Sequence, residues 1–436
     1  MSFGINNVIF LAALITAIYF FSKSVKKIRR NIALGKAADR TDQPSERWKT
    51  MAMVALGQSK MVLNPVAGFF HIVIYAGFLL INIEVLEIII DGLLGTHRVF
   101  AAPLGRLYEL AINFFEILAV AVIVACVVFL WRRNVMNISR FRKPEMNGWP
   151  FKDANNILII EIVLMIALLM IGAAEANMEN APAGPFVVSS FLAPILAGLS
   201  QEGLHIAERI AWWAHILGIL AFLNYLPFSK HFHIILAFPN TWYAKLGFKG
   251  KFPVNERVKK EVELMLDPNA NPYTAESADS EQVERFGAKD IPDLKWVNIL
   301  NAYACTECGR CTAECPANLT GKKLSPRKIM MDVRDRADEV GKIIDVNGGK
   351  FVDDGKSLLD DYITREEIWA CTSCNACVEA CPVLIDPLDI IMQLRQYVVM
   401  EESKAPQSIN MMMTNVENNG APWQFSQADR ANWIYQ

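Results

Sequence analysis

The sequence predicts a mainly α-helical protein in two parts: five membrane-spanning helices, then a water-soluble helical domain that binds metal. Three observations predict it. Five apolar runs in the first half are long enough, or nearly so, to cross a hydrocarbon layer, which takes about 20 helical residues. Lys and Arg are dense in alternate connections between those runs and sparse in the others. Eight of the nine cysteines fall in two matching blocks, "CTECGRCTAECP" from Cys305 and "CTSCNACVEACP" from Cys371.

The bulk composition fits this division. A chain of 436 residues has room for two or three domains. Its hydrophobic fraction of 53% is high for a soluble protein, and a net charge of −2 creates no global field for nucleic acid. Clustered cysteines are unlike the scattered pattern of a secreted disulfide framework and favour metal ligation in a reducing compartment. The N-terminal "MSFGINN" lacks a basic flank and a small-residue cleavage site, so the first apolar run is expected to remain as a membrane helix.

The spans are expected at Phe3–Phe21, Met61–Ile90, Leu107–Trp131, Ile157–Ala174 and Ile206–Phe228. A sixth run, "FVVSSFLAPILAGL" from Phe186, is short and contains Pro194, which fits an interfacial or re-entrant piece. After the first span come "KSVKKIRR", Lys36, Arg40, Arg47, Lys49 and Lys60; after the third come Arg132, Arg133, Arg140, Arg142, Lys143 and Lys152. The second connection has only Arg98 and Arg106, and no Lys or Arg lies between Ala174 and His205. By the positive-inside rule the N-terminus is outside and everything after Phe228 is cytoplasmic, at a bacterial-type inner membrane. The basic stretch Lys23–Arg30 is then a topogenic flank beside anionic lipid.

The expected units are a membrane bundle (1–233), a linker (234–295), a cysteine-bearing domain (296–400) and a polar, extended or partner-bound tail (401–436). The linker is charged and rich in Pro and Asn, with one short helix near Val258–Leu266. Between the cysteine blocks, "SPRKIMMDVRDRADEVGKII" is amphipathic at helical spacing and opens on Ser325-Pro326. "TREEIWA" reads as a helix leading into the second block. The segment "INMMMTN" reads as a docking surface. No G-x-G-x-x-G follows a strand, so no dinucleotide site is expected.

Each block has the spacing C-x2-C-x2-C-x3-C-P. Three thiolates at that spacing converge on one cubane, and the cysteine before Pro ligates the other cluster in two-cluster ferredoxins. Cys305, Cys308, Cys311 and Cys381 are therefore expected to hold one [4Fe–4S] cluster, and Cys371, Cys374, Cys377 and Cys315 the other. Zinc sites more often use two separate C-x2-C pairs. Cys126, among Val and Ala in the third span, is a packing residue.

His71 lies in the second span and His215 in the fifth. An imidazole in hydrocarbon is costly without a partner, and two on different helices suit bis-histidine haem b; a hydrogen-bonded helix bridge is the plainer alternative. At 1.5 Å per residue His71 lies about 16 Å in from Lys60 and His215 about 22 Å in from Lys230, so depth pairs these two. His231 and His233 lie at the face and suit a second haem, its propionates or a quinone headgroup. His97 and His205 read as ordinary interfacial residues. Glu84 and Glu87 share one face of the second span and are the candidates for quinone or proton chemistry, with helix-bridging ion pairs as the alternative. Asp91, Glu116, Glu161 and the Glu208–Arg209 pair are weaker candidates.

The stretch "HILGILAFLNYLPFSKHFH" resembles the last helix of the nitrate reductase γ subunit family, five-helix cytochrome b anchors with the N-terminus outside. In that family two histidines flank a Pro-Phe-Ser turn eighteen residues apart, as His215 and His233 do here. The likeness runs from about Met61 to Pro239 and implies a cytochrome b bundle in which His215 and His233 serve two haems with partners on the second helix. That helix carries only His71, with Met61 and Ile81 at spacings of ten, so one haem b is expected and a second is left open.

The long helical insert between the cysteine blocks resembles the α-helical dicluster ferredoxin of fumarate reductase and heterodisulfide reductase subunits. The fusion as a whole resembles heterodisulfide-reductase-like and electron-transfer-flavoprotein:quinone oxidoreductase-like membrane proteins. Those systems add cysteine-rich CCG domains, and no cysteine follows Cys381 here, so that part is expected on a partner. The resemblance implies a respiratory protein that passes electrons between membrane quinone, haem b and two cytoplasmic [4Fe–4S] clusters, with a CCG-domain iron–sulfur protein or a flavoprotein as partner. The competing readings are a haem-free membrane anchor with a ferredoxin docking module, and the anchor of a formate dehydrogenase or hydrogenase.

Overall fold

In this computed structural model residues 4–179, 185–248, 250–252, 254–268, 285–424 and 426–435 are described. Five helices are long and apolar enough to cross a membrane: α1 (Ile5–Ile32), α2 (Pro65–Leu94), α3 (Arg106–Asn134), α4 (Trp149–Glu175) and α5 (Gln201–Tyr225), the last extended by a turn to Phe228. Phe3, where the first run begins, and residues 269–284 of the expected linker lie outside the described residues. The run from Phe186 forms two short turns, Ser189–Leu192 and Ala193–Ile195, and not a span. Among the described residues there is no β-strand, only two isolated bridges.

Small residues let the bundle close. Gly92 of α2 leaves no room for a methyl group against the Phe10 ring of α1, and Gly218 of α5 sits against Leu164 of α4. Without a hydrophobic drive between helices in lipid, such close approach is the main source of packing. Apolar side chains such as Ile5, Ile15, Leu110 and Ile210 remain exposed, as expected of helices that can cross a membrane.

The helices overrun their apolar cores. α1 continues to Ile32 and docks on the second half of the chain. Asn31 Nδ2 donates to Tyr303 Oη at 2.8 Å, Arg30 donates to the Gly341 carbonyl at 2.9 Å, and Lys27 pairs with Asp345 at 2.7 Å. The end of the basic stretch thus also serves as a protein interface. Beyond it, Lys36 exchanges backbone hydrogen bonds with Leu294 and Trp296.

After α5 the chain turns at Pro227 and re-enters as α6 (His233–Trp242). This helix belongs to neither the bundle nor a loose linker. It packs between the short helix Pro44–Met51 and α7 (Trp296–Tyr303), and Asn240 donates to the Val383 carbonyl at 2.6 Å. The cysteine-bearing half is built on α7, α8 (Pro326–Val346) and α9 (Pro387–Met400). α8 starts where "SPRK" predicts, with Ser325 Oγ accepting from the Lys328 amide. "TREEIWA" forms Arg365–Ala370 behind a Thr364–Glu367 capping box. The tail is not simply extended: Gln407–Asn419 is a helix that stops at Gly420, whose φ is +63°.

Candidate metal centres and the adjoining cavity

The two cysteine blocks share one backbone design. Glu307 and Ser373, each two residues after the first cysteine of a block, have φ of +52° and +58°; Gly309 and Asn375, four after it, have φ of +72° and +62°. This alternation turns backbone amides inward. The Ser373 amide donates to Cys371 Sγ at 3.4 Å, and the Ile385 amide to Cys381 Sγ at 3.3 Å. Gly309 also has no space for a Cβ beside the Arg327 guanidinium. Asn, tolerant of left-handed backbone, takes the equivalent place in the second block.

Cys305, Cys308, Cys311 and Cys381 line one small cavity, and Cys315, Cys371, Cys374 and Cys377 line a second, with Cys377 bordering both. These are the two crossed sets given by the spacing. The donor set fits a thiolate-ligated cluster in each cavity: four cysteines, with amides donating to Cys371 and Cys381 and with Cys305 and Cys381 buried. Burial pushes the Cys305 thiol up to about 12 and the Cys381 thiol up to about 11, with neighbouring groups of like charge adding to both. Such thiols deprotonate only with a compensating cation, which a bound cluster supplies.

Each centre has a guanidinium that the spacing did not reveal. Arg327 is fully buried in the wall of the first cavity, donating to the Arg140 carbonyl and to Glu145, both at 2.7 Å. Arg395 donates to the Ile368 and Cys371 carbonyls and lies over the Trp369 ring. In sequence, Arg327 sits two residues after Ser325 at the start of a helix, and nothing there marks it as buried.

The first centre faces the five-helix bundle. Glu307 pairs with Lys230, at the end of the fifth span, and with Arg334 of α8 at 2.7 Å. Arg310 donates to the Lys60 carbonyl at 2.9 Å. The second centre lies at the surface, where Cys374 is exposed.

Between the bundle and the first centre is a cavity of about 340 Å³. Its wall includes His71 and Tyr75 of α2, Cys126 of α3, Glu161 of α4, His231, His233 of α6, and Cys308 and Pro382 from the cysteine blocks. His71 Nδ1, Tyr75 Oη, His231 Nε2 and Arg140 Nε are buried there with no hydrogen-bond partner. Burial pushes the His231 imidazole down to about 3, helped by His233 and His71, and lowers His233 as well. Both are neutral near pH 7. The rings of His231 and His233 are 5.6 Å apart.

His215 is elsewhere. It does not line this cavity; its Nδ1 is 2.9 Å from the Leu164 carbonyl of α4, and its Nε2 is unpartnered. Depth pairs His71 with His215, but depth fixes height and not azimuth. The turn at Pro227 folds residues 231–233 back beneath α2, and the imidazoles brought together are His71, His231 and His233.

Glu84 and Glu87 are also placed differently from a free proton carrier. Both are buried at the other end of α2 around Arg98, whose guanidinium donates to Glu84 at 2.8 Å and to Glu175 at 3.2 Å. Glu87 accepts from Tyr108 Oη at 2.6 Å and from the Phe100 amide at 2.8 Å. This is the helix-bridging alternative. Arg98, counted in sequence as a loop charge, is its centre.

Comparison with known proteins agrees with the chemistry of the cysteine blocks. Residues 304–385 match the 4Fe-4S dicluster domain family. The chain is 29% identical to the probable iron-sulfur-binding oxidoreductase FadF of Bacillus subtilis, over 98% of this chain and 60% of that protein. It is 26% identical to the EtfAB:quinone oxidoreductase of Syntrophomonas wolfei, over 91% of this chain and 55% of that protein. A shorter stretch, 30% of this chain, is 26% identical to an iron-sulfur subunit of the CoB–CoM heterodisulfide reductase of Methanopyrus kandleri, over 57% of its length. No solved structure matches. The chain spans little more than half the length of the first two relatives. It carries a 4Fe-4S dicluster domain, and its relatives are iron–sulfur oxidoreductases of electron transfer.

Proposed function

We propose that this chain is an electron-transfer subunit of a respiratory membrane complex, linking membrane quinone to two [4Fe–4S] clusters through haem b in the cavity beneath α2. One observation carries the reading. A single cavity is lined both by imidazoles of the membrane half and by Cys308 of the first cysteine centre, so redox groups held on the two sides are neighbours. His71 with His231 or His233 would hold the haem, and the unpartnered Nδ1 of His71 and Nε2 of His231 fit that role. Arg132, Arg133 and Arg310 in the same wall suit its propionates. Haem and clusters, when bound, supply one-electron transfer; the protein supplies position, burial and charge.

On this reading the clusters lie in the cytoplasm, by the Lys and Arg distribution, and the complex sits in a bacterial-type inner membrane. The second centre, with Cys374 exposed, faces the partner, a CCG-domain iron–sulfur protein or a flavoprotein. The relative from Syntrophomonas is named for quinone, which supports the quinone assignment. His71→Ala is expected to abolish a low-spin haem spectrum while leaving both iron–sulfur electron paramagnetic resonance (EPR) signals. Full haem retention in that variant would refute the ligand assignment. Wild type without haem would favour a haem-free anchor.

A further inference from the structure

Haem ligation leaves Glu161 of this cavity unused. Glu161 lies inside α4, and among the described residues its carboxyl has no hydrogen bond and no ion pair. The other acids singled out in the bundle, Glu84, Glu87, Glu116 and Glu208, all have partners. A lone carboxyl within an apolar span is costly and marks function by default.

Position within the cavity separates Glu161 from the metal-facing end. Phe78 lies about 10 Å deeper along α2 than His71, and Cys126 about 10 Å deeper along α3 than Arg133, at 1.5 Å per residue. Glu161 is likewise about 10 Å deeper along α4 than Ala154, and all of these line the same space. The deep end is therefore apolar, with Glu161 and Tyr75 as its polar groups. Phe78 and Leu79 line the cavity and are 40% and 46% exposed, an apolar wall suited to a lipophilic tail. At about 340 Å³ the space lies within the roughly 300–1,000 Å³ of an ordinary small-molecule pocket.

We propose that this deep end is the headgroup site for a lipophilic quinone, and that Glu161 exchanges the proton of one quinone oxygen while Tyr75 Oη hydrogen-bonds the other. The proposal rests on the quinone-linked reading above. Reduction of a quinone to quinol adds two electrons and two protons, one proton to each carbonyl oxygen. The electrons arrive from the iron–sulfur side. Glu161 as the acid gives its proton to the nearer oxygen, leaving a carboxylate that regains a proton from water at the polar mouth of the cavity. Tyr75 donates to the far oxygen as it takes the second proton from the same water. Oxidation of quinol runs the same transfers in reverse, with the electrons leaving to the clusters.

The test uses the full chain in detergent with its clusters loaded. Menadiol-driven reduction of the iron–sulfur centres is followed by stopped-flow absorbance, and binding by quenching of heptyl-hydroxyquinoline N-oxide fluorescence. Glu161→Gln is expected to slow cluster reduction by about tenfold or more, within what a positioned acid contributes, with EPR signals unchanged. Glu161→Asp is expected to recover part of the rate, and Tyr75→Phe to weaken N-oxide binding. Wild-type rates in Glu161→Gln, or unaltered binding and rate in Tyr75→Phe, would overturn the site. If Glu161→Gln fails to fold, Glu161→Asp and Tyr75→Phe decide by the same readings. Wild type that neither binds the N-oxide nor accepts electrons from menadiol would sink the quinone reading itself.

Discussion

The two ends of α2 bury polar side chains to opposite effect. At the far end Glu84, Glu87, Asp91, Tyr108 and Glu175 surround Arg98, and among the described residues of this cluster Glu175 Oε2 is the only fully buried side-chain atom without a partner. At the end near the cysteine blocks His71, Tyr75 and His231 surround a cavity, and each leaves an atom unsatisfied. A buried polar group without a partner forfeits its hydration for nothing. A satisfied cluster therefore holds helices together, whereas an unsatisfied one around a void implies a ligand. Both ends look alike in sequence, as polar residues in an apolar helix.

The comparison is broken or sharpened most strongly at the cysteines. Cys315→Ser is expected to remove the cluster of the second block, not of its own, so that about half the iron is lost and the remaining EPR signal is that of the first centre. Loss of the first signal instead would refute crossed ligation. Next, His215→Ala is expected to leave haem in place, in contrast to His71→Ala, because His215 faces the Leu164 carbonyl and not the cavity. Optical spectra of the two variants, compared side by side, check this.

Arg98→Met strikes the satisfied end. It leaves buried carboxylates uncompensated and is expected to cost about 3–5 kcal/mol of stability, seen as a lower unfolding temperature in detergent with unaltered haem and EPR spectra. A change in redox spectra without loss of stability would place function at that end. The smallest effect is expected at Lys27, whose pair with Asp345 is half exposed. Lys27→Ala should change stability by no more than about 1 kcal/mol, and a larger loss would mean that the docking of α1 depends on that pair.

Legibility followed periodicity and spacing. The five spans were readable because each holds an uninterrupted apolar stretch, although α1 and α4 overrun it by a turn or more where polar residues find protein partners. The cysteine sets were readable because cubane ligation imposes a fixed spacing on the chain. The cavity was not, because it depends on azimuth. His215 and His233 are equivalent by motif, and only the turn at Pro227 decides which one meets His71. Tyr75 had a faint signal, one helical turn after His71 on the same face. Arg327 and Arg98 had none, since a charge beside a loop or at a helix start is ordinarily solvated.

Joint determination of iron, acid-labile sulfide and protoheme in the purified chain, for wild type and His71→Ala, tests the central claim most directly. The account predicts two clusters and a haem in wild type, and two clusters without haem in the variant. A wild-type chain lacking haem, or a variant that keeps it, would contradict the claim that the cavity beneath α2 joins the membrane to the clusters.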